Sequence, residues 1–233
     1  MPDDWTRALA VVAHPDDLEY GTAAAIARWT GEGREISYLL ATRGEAGIDI
    51  LDPAEAAPLR EREQRASAAV VGVTSVEFLG HRDGVIEYGT VLRRDIAAAI
   101  RRHRPELLIT INHRDTWGGT YWNTPDHRAV GRAVLDAAAD AGNRWIFPEL
   151  TADGLAPWNG VRWVAVSGSS SPTHSVGVDD THLEAAVRSL LEHRTYIEAL
   201  TDQDPEEYCR DFVAQVTSSS GGRAAVSFEL FTR

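Results

Sequence analysis

The chain has 233 residues, and its 35 Asp and Glu outnumber 23 basic residues for a formal charge of −12. Every basic residue is Arg, so Schiff-base chemistry, a lysine general base and a P-loop lysine are all excluded. The lone Cys209 forbids an internal disulfide and any metal site built on several thiolates, so a bound metal must rest on His and carboxylates.

The acidic balance argues against a nucleic-acid partner, which would need a basic stripe. No apolar run approaches the roughly 20 residues of a membrane span. The start, Met1 to Trp5, lacks the basic and apolar regions of a signal peptide, so a cytoplasmic protein is expected. With 43% hydrophobic residues and no linker or internal repeat, one domain over residues 1–233 is the expectation. The sequence sets no oligomeric state, and a homo-oligomer stays open.

In chain order, Arg7 to Ala13 is a short, nearly continuous apolar run that predicts a buried parallel strand. Thr22 to Trp29 has helical spacing and is ended by Gly31-Glu32-Gly33; Arg34 to Ala41 predicts a second strand, completing a βαβ unit. Gly44 to Pro58 reads as a polar loop and Leu59 to Val71 as a helix. Ser75 to Leu79 predicts a strand, Thr90 to His103 a helix, and Glu106 to Asn112 another strand. A long loop from His113 to Asn123 precedes a helix from about Pro125 to Ala141. After Gly142 the rhythm loosens: Val161 to Val166 predicts a strand, Ser167 to Thr173 a loop and Thr181 to Leu200 one helix. Thr217 to Gly222 reads as a loop and Arg223 to Thr232 as an edge strand. The alternation predicts an α/β fold, Rossmann-like and doubly wound, with a mostly parallel sheet and helices on both faces.

In such sheets, ligands bind outside the carboxyl ends of the strands. Two stretches there are too polar for ordinary turns: Ala13 to Glu19 (Ala-His-Pro-Asp-Asp-Leu-Glu) and His113 to Arg128. A turn at Pro15 can aim His14 and Asp17 at one point. Thr124-Pro125-Asp126-His127 reads as a helix start, which puts His127 on a first turn facing the crevice. Imidazole and carboxylate together suit Zn²⁺, so His14, Asp17 and His127 are the candidate metal ligands. Asp16 stands beside them unneeded as a ligand. It is the candidate catalytic base, taking a proton from the attacking water and returning it to a leaving amine. Either aspartate alone would as readily be a helix cap; their placement with His14 and His127 at two strand ends favours the site.

The residues His14-Pro15-Asp16-Asp17-Leu18-Glu19 resemble the signature of the PIG-L/LmbE-type zinc deacetylases. The likeness continues, in order, through Thr42 to Gly47, Arg60 with Glu63, Gly72-Val73, Phe78 to Gly84, and Pro125 to Gly131. It spans about residues 8 to 135. The resemblance implies a Rossmann-like fold, a catalytic Zn²⁺, and hydrolysis of an N-acetyl or related amide on a sugar-like small molecule. It implies the same three ligands and the same base, and puts Arg60 and Asp83 toward the substrate. Arg60 fits an ion pair with Glu63 equally well, and Asp83 a plain turn. Glu19 and Glu45 read as orienting residues. His193 reads as a hydrogen-bonded structural residue and Cys209 as an ordinary buried or half-buried thiol.

One departure matters. The family usually has His where this chain has Thr124, and a hydroxyl cannot supply an imidazolium's charge. Loss of such a donor costs about 2.7–4 kcal/mol in the barrier. His113, Tyr121 and Asn123 are the nearby candidates to take over or to bind substrate, and the loop from Trp117 to Trp122 is a candidate aromatic wall. The departure keeps two alternatives open: an amidase acting on a non-sugar amide in secondary metabolism, or a metal-binding homologue with weak or no catalysis.

Overall fold

A strand covered on both faces must be apolar at nearly every position, and the first strand shows what that apolarity serves. The computed structural model describes residues 1–218 and 222–233. Its first half runs β1 (Arg7–Val12), α1 (Ala23–Gly31), β2 (Glu35–Leu40), α2 (Pro53–Val70), β3 (Ser75–Phe78), α3 (Thr90–His103) and β4 (Leu107–Ile111). A small hairpin of β5 (Thr116–Gly118) and β6 (Tyr121–Trp122) precedes α4 (Pro125–Asp140) and α5 (Pro148–Ala152). The last third holds β7 (Trp163–Ser167), β8 (His174–Gly177), α6 (Asp180–Leu191), α7 (Arg194–Leu200), α8 (Pro205–Thr217) and β9 (Ala225–Thr232).

The main sheet has the order β3-β2-β1-β4-β7-β9-β8. β3, β2, β1, β4 and β7 pair in parallel, and β9 runs antiparallel to both β7 and β8. This is the mostly parallel sheet expected from the alternation. Along β1, Ala8, Ala10 and Val12 join one core with Ile26 and Trp29 of α1, Leu190 of α6 and Val213 of α8. Leu9 and Val11 join a second core with Ile96 and Ile100 of α3 and Val130 and Val134 of α4. Helices therefore cover both faces. The chain winds outward from β1 to β3 and then returns to lay β4 on β1's other side, so the topological switch point lies between β1 and β4. Among the described residues no helix is long and apolar enough to cross a membrane.

Gly131 sets how closely α4 approaches the sheet. A Cβ there would lie 2.5 Å from the Ile111 carbonyl oxygen and 3.0 Å from the His113 Cβ. Backbone cannot yield as a flexible side chain does, so Gly131→Ala should lose about 1–3 kcal/mol of stability, read from the urea midpoint. An unchanged midpoint would contradict this account of the packing.

Several expectations need correction. The loop expected from Gly44 to Pro58 ends early, because Asp52 accepts the Ala54 N–H and Pro53 takes the first helical position of α2. Pro58 is accommodated inside that helix. The single helix expected from Thr181 to Leu200 breaks between α6 and α7 at Glu192 and His193, where the His193 side chain is fully buried. β9 is an internal strand rather than an edge; β8, which was read as part of no strand, forms the edge. The hairpin β5–β6 occupies part of the expected loop from His113 to Asn123. α8 ends at Thr217, and residues 219–221 of the expected Thr217–Gly222 loop lie outside the described residues.

Candidate active site

The turn after β1 and the connection from β4 to α4 leave the sheet side by side at the switch point. In the first, Asp16 takes φ 79, a left-handed conformation that Asp tolerates better than most side chains. Its N–H donates to Gln64 Oε1 at 2.9 Å, which ties the turn to α2. Two residues before the helix α4, Asn123 is fully buried and donates from Nδ2 to the carbonyls of Asn112 and Arg114. Thr124 caps α4 by accepting the His127 N–H at 3.3 Å, with Pro125 next in line. These local rules place His127 opposite the β1 turn.

Three donor atoms converge there. His127 Nε2 lies 3.0 Å from Asp17 Oδ1 and 3.2 Å from His14 Nδ1, and His14 Nδ1 lies 3.6 Å from Asp17 Oδ2. The far nitrogen of each ring is already committed. His14 Nε2 donates toward Asp83 Oδ1 at 3.0 Å and Asp126 Oδ2 at 3.2 Å. His127 Nδ1 donates to Asn123 Oδ1 at 3.0 Å, whose identity as the oxygen follows from the two bonds made by Nδ2. Two ring lone pairs are thereby turned on one point next to a carboxylate, an arrangement that repels itself without a cation or proton between the donors. Burial pulls the His14 imidazole down, yet Asp17, Asp126 and Asp83 hold it well above its ordinary range. The Asp17 carboxyl is desolvated, but His127 and His14 keep it far below the usual carboxylate range. The residues fit a divalent cation by donor type, tautomer and field. A second group, His14, Asp83 and Asp126, also has its ligand atoms close together. The Asp126 oxygens, however, are occupied by the N–H groups of Gly84 and Ile86. That second group orients His14.

Asp16 points elsewhere. Its Oδ2 accepts from Arg60 Nη2 at 2.7 Å, and Arg60 also donates to the Pro15 carbonyl and reaches Glu63 at 3.4 Å. The ion pair with Glu63 considered for Arg60 is present, and the same side chain, 1% exposed, also holds Asp16. Burial raises the Asp16 carboxyl above its ordinary value, against the pull of Arg60 and His193. Behind Arg60, His193 Nδ1 lies at 3.5 Å and its Nε2 lies 3.6 Å from Glu19 Oε2. Glu19 Oε1 in turn accepts from Gln64 and Ser67. This buried chain of groups holds the Asp16 carboxylate from one side, and Asp16 also lines the cavity.

The cavity measures about 850 Å³ and is lined by His14, Asp16, Asp17, Arg60, Asp83 and His127, together with Tyr121 and Thr124. The expected substrate residues divide. Arg60, Asp83 and Tyr121 reach it; His113 and Asn123 do not line it. The His113 ring packs edge-on to Phe231, 6.1 Å between centroids, and so faces β9 rather than the cavity. Asn123 acts behind His127. Glu45 accepts from the Asp83 N–H, and Asp83 from the Ala46 N–H, joining two loops of the rim. Cys209 is buried. Residues of the lining that the sequence reading passed over include Tyr196 of α7, whose ring carries the Arg60 guanidinium at 4.1 Å, and Phe212 and Val216 of α8. The start signal Asp204-Pro205-Glu206-Glu207, followed by Tyr208, Phe212 and Val216 four apart, carried that helix.

A crevice at the switch point, opening outside the carboxyl ends of β1 and β4, is where Rossmann-like α/β proteins bind their ligands, and the fold is of that class. The PIG-L model, GlcNAc-PI de-N-acetylase, matches residues 9–138, and the chain belongs to that family. It is 28% identical over 229 residues to the diacetylchitobiose deacetylase of Thermococcus kodakarensis, covering 96% of this chain and 82% of that one. It is 31% identical over 186 residues to the 1D-myo-inositol 2-acetamido-2-deoxy-alpha-D-glucopyranoside deacetylase of Streptomyces avermitilis, covering 68% of this chain and 59% of the relative. In fold it is similar to N,N'-diacetylchitobiose deacetylase from Pyrococcus horikoshii solved with the inhibitor MPG, with a TM-score of 0.87 at 23% identity over 98% of this chain and 85% of that one. The relatives are named as deacetylases, which are hydrolases acting on C–N bonds.

Proposed function

We propose that the protein is a zinc-dependent N-deacetylase, built as one domain, that removes an acetyl group from the amide nitrogen of a sugar-like small molecule. The observation that carries this reading is the convergence of His14 Nδ1, His127 Nε2 and Asp17 beside a buried, separately held Asp16. His14, Asp17 and His127 would hold the cation, which would polarise the acyl carbonyl and ease deprotonation of water. Asp16 takes the proton of the attacking water as the carbonyl carbon becomes tetrahedral. The same carboxyl then gives the proton to the amine nitrogen as the C–N bond breaks, leaving acetate and a free amino sugar. Its desolvation supports both halves of that cycle, because a carboxyl raised above its ordinary range is a stronger base and still an acid for an amine.

Thr124 lines the cavity where the family pattern has His. Its oxygen accepts the His127 N–H, so its hydroxyl hydrogen remains for a neutral donor bond to the acyl oxygen. Arg60 is committed to Asp16, and its part in substrate binding is through that carboxylate and the Tyr196 ring.

The test is acetate release from N-acetylglucosamine and N,N'-diacetylchitobiose by the zinc-loaded protein. Release that stops with a chelator and returns with zinc is expected. No release from any acetamido sugar, with acetate freed from other acylated amines, would overturn the sugar assignment.

A further inference from the structure

The charged groups of the cavity come from one set of elements. His14, Asp16 and Asp17 follow β1, Arg60 sits in α2, Asp83 precedes α3, and Asp126 and His127 open α4. The hairpin and α8 line the same cavity and contribute no charged side chain to it; they supply Trp117, Tyr121, Phe212, Gln215 and Val216. Two of the aromatic members, Trp117 and Phe212, are held in place. Trp117 meets His127 edge-on with 5.5 Å between centroids, and it lies so close over Gly168, at φ 67, that a Cβ there would fall 2.4 Å from the ring. Phe212 packs edge-on to Tyr20 at 4.7 Å and stacks on Tyr208 at 6.3 Å. The Tyr20 hydroxyl is already paired with that of Tyr208 at 3.2 Å. Tyr121 and Val216 remain 73% and 37% exposed.

A cavity of about 850 Å³ is near the upper end of the roughly 300–1,000 Å³ usual for ligand sites. An acetamido group and one sugar ring at the polar elements leave the apolar elements uncovered. Held aromatic faces and exposed apolar side chains, continuous with a reaction site, mark a surface that a ligand covers. A second sugar ring would bring several hydroxyl groups to that surface, and Gln215 is the one amide among its side chains. Resting on the deacetylase reading, we propose that the substrate is amphipathic: an N-acetylated amino sugar joined to an apolar aryl or alkyl group, which lies between the hairpin and α8.

The test is calorimetric binding to the zinc-loaded Asp16→Asn variant, whose slowed turnover leaves the probes largely intact during the titration. The probes are N-acetylglucosamine, N,N'-diacetylchitobiose, and the phenyl and octyl β-glycosides of N-acetylglucosamine. An apolar glycoside should bind at least about tenfold more tightly than either N-acetylglucosamine or the disaccharide. Tyr121→Ser and Val216→Asn, both at exposed positions that the fold does not need, should together bring that preference below about threefold. Equal binding of all four probes, tighter binding of the disaccharide, or a preference untouched by both substitutions would overturn the proposal. Acetate release by the wild-type protein is scored separately. Tight glycoside binding without release from any probe would sink the deacetylase reading and leave the apolar wall standing, whereas release with equal binding would do the reverse.

Discussion

Asp16→Asn should lower kcat for acetate release by about 10²–10⁴-fold, the range for loss of a general acid–base group, while zinc content stays at the wild-type level. The fold is expected to survive. Asn tolerates the left-handed backbone that residue 16 adopts, and its amide oxygen can keep the 2.7 Å bond from Arg60. What Asn cannot do is carry a proton from water to amine. The Asp16 carboxylate makes no contact among those that join His14, Asp17 and His127, so the ligand cluster should be undisturbed. Single-turnover acetate release, with metal content by elemental analysis on the same sample, separates the two effects. Turnover within about tenfold of wild type would remove Asp16 from the mechanism.

His127→Ala should abolish stoichiometric zinc binding, with a loss in affinity greater than the 10–100-fold typical of removing an outer-shell partner. The control is built into the structure: Asn123 touches His127 Nδ1 at 3.0 Å and is absent from the cavity lining, so Asn123→Ala should fall within about 10–100-fold. The ranking of the two variants, His127 far worse than Asn123, is the observable that a merely structural His127 would not produce. Zinc at 100 times its Kd should stabilise the wild-type protein by about 2.7 kcal/mol, a rise in melting temperature that His127→Ala should lack. Full zinc affinity in His127→Ala would refute its role as a ligand.

The departure at Thr124 is expected to weigh on rate more than on fold. Its neighbours suggested three replacements, and the structure answers differently for each. His113 is turned to Phe231, Asn123 is used to orient His127, and Tyr121 lines the cavity. Sequence proximity could not separate these outcomes, because the three residues sit within one connection and differ only in which side of it they face.

The polar turns after β1 and β4 were legible in the sequence because they violate composition: buried strands of Ala, Val, Leu and Ile run directly into His and Asp. The helix start at Thr124 to His127 was legible because capping chemistry is local, decided within four residues. Likewise the alternation of apolar runs and helical periods was enough for a mostly parallel sheet with helices on both faces. The lack of lysine and the single Cys209 restricted any metal ligands to His and carboxylates, whatever the fold.

Only the tertiary structure decided which groups stand behind the proposed ligands. Asp83, Asp126 and Asn123 select the ring nitrogens, and Gln64, Arg60, His193 and Glu19 hold the Asp16 turn, across separations of 45 residues and more in several cases. No spacing rule reports contacts between a strand end, α2 and a break in α6–α7, because they arise from how helices pack on the sheet. The break itself illustrates the point: the run from Thr181 to Leu200 has helical periodicity throughout, and the continuous helix it predicts gives way where the His193 side chain is buried between Arg60 and Glu19. The same holds for α8, whose Phe212 and Val216 meet the hairpin's cavity although some 90 residues of chain intervene.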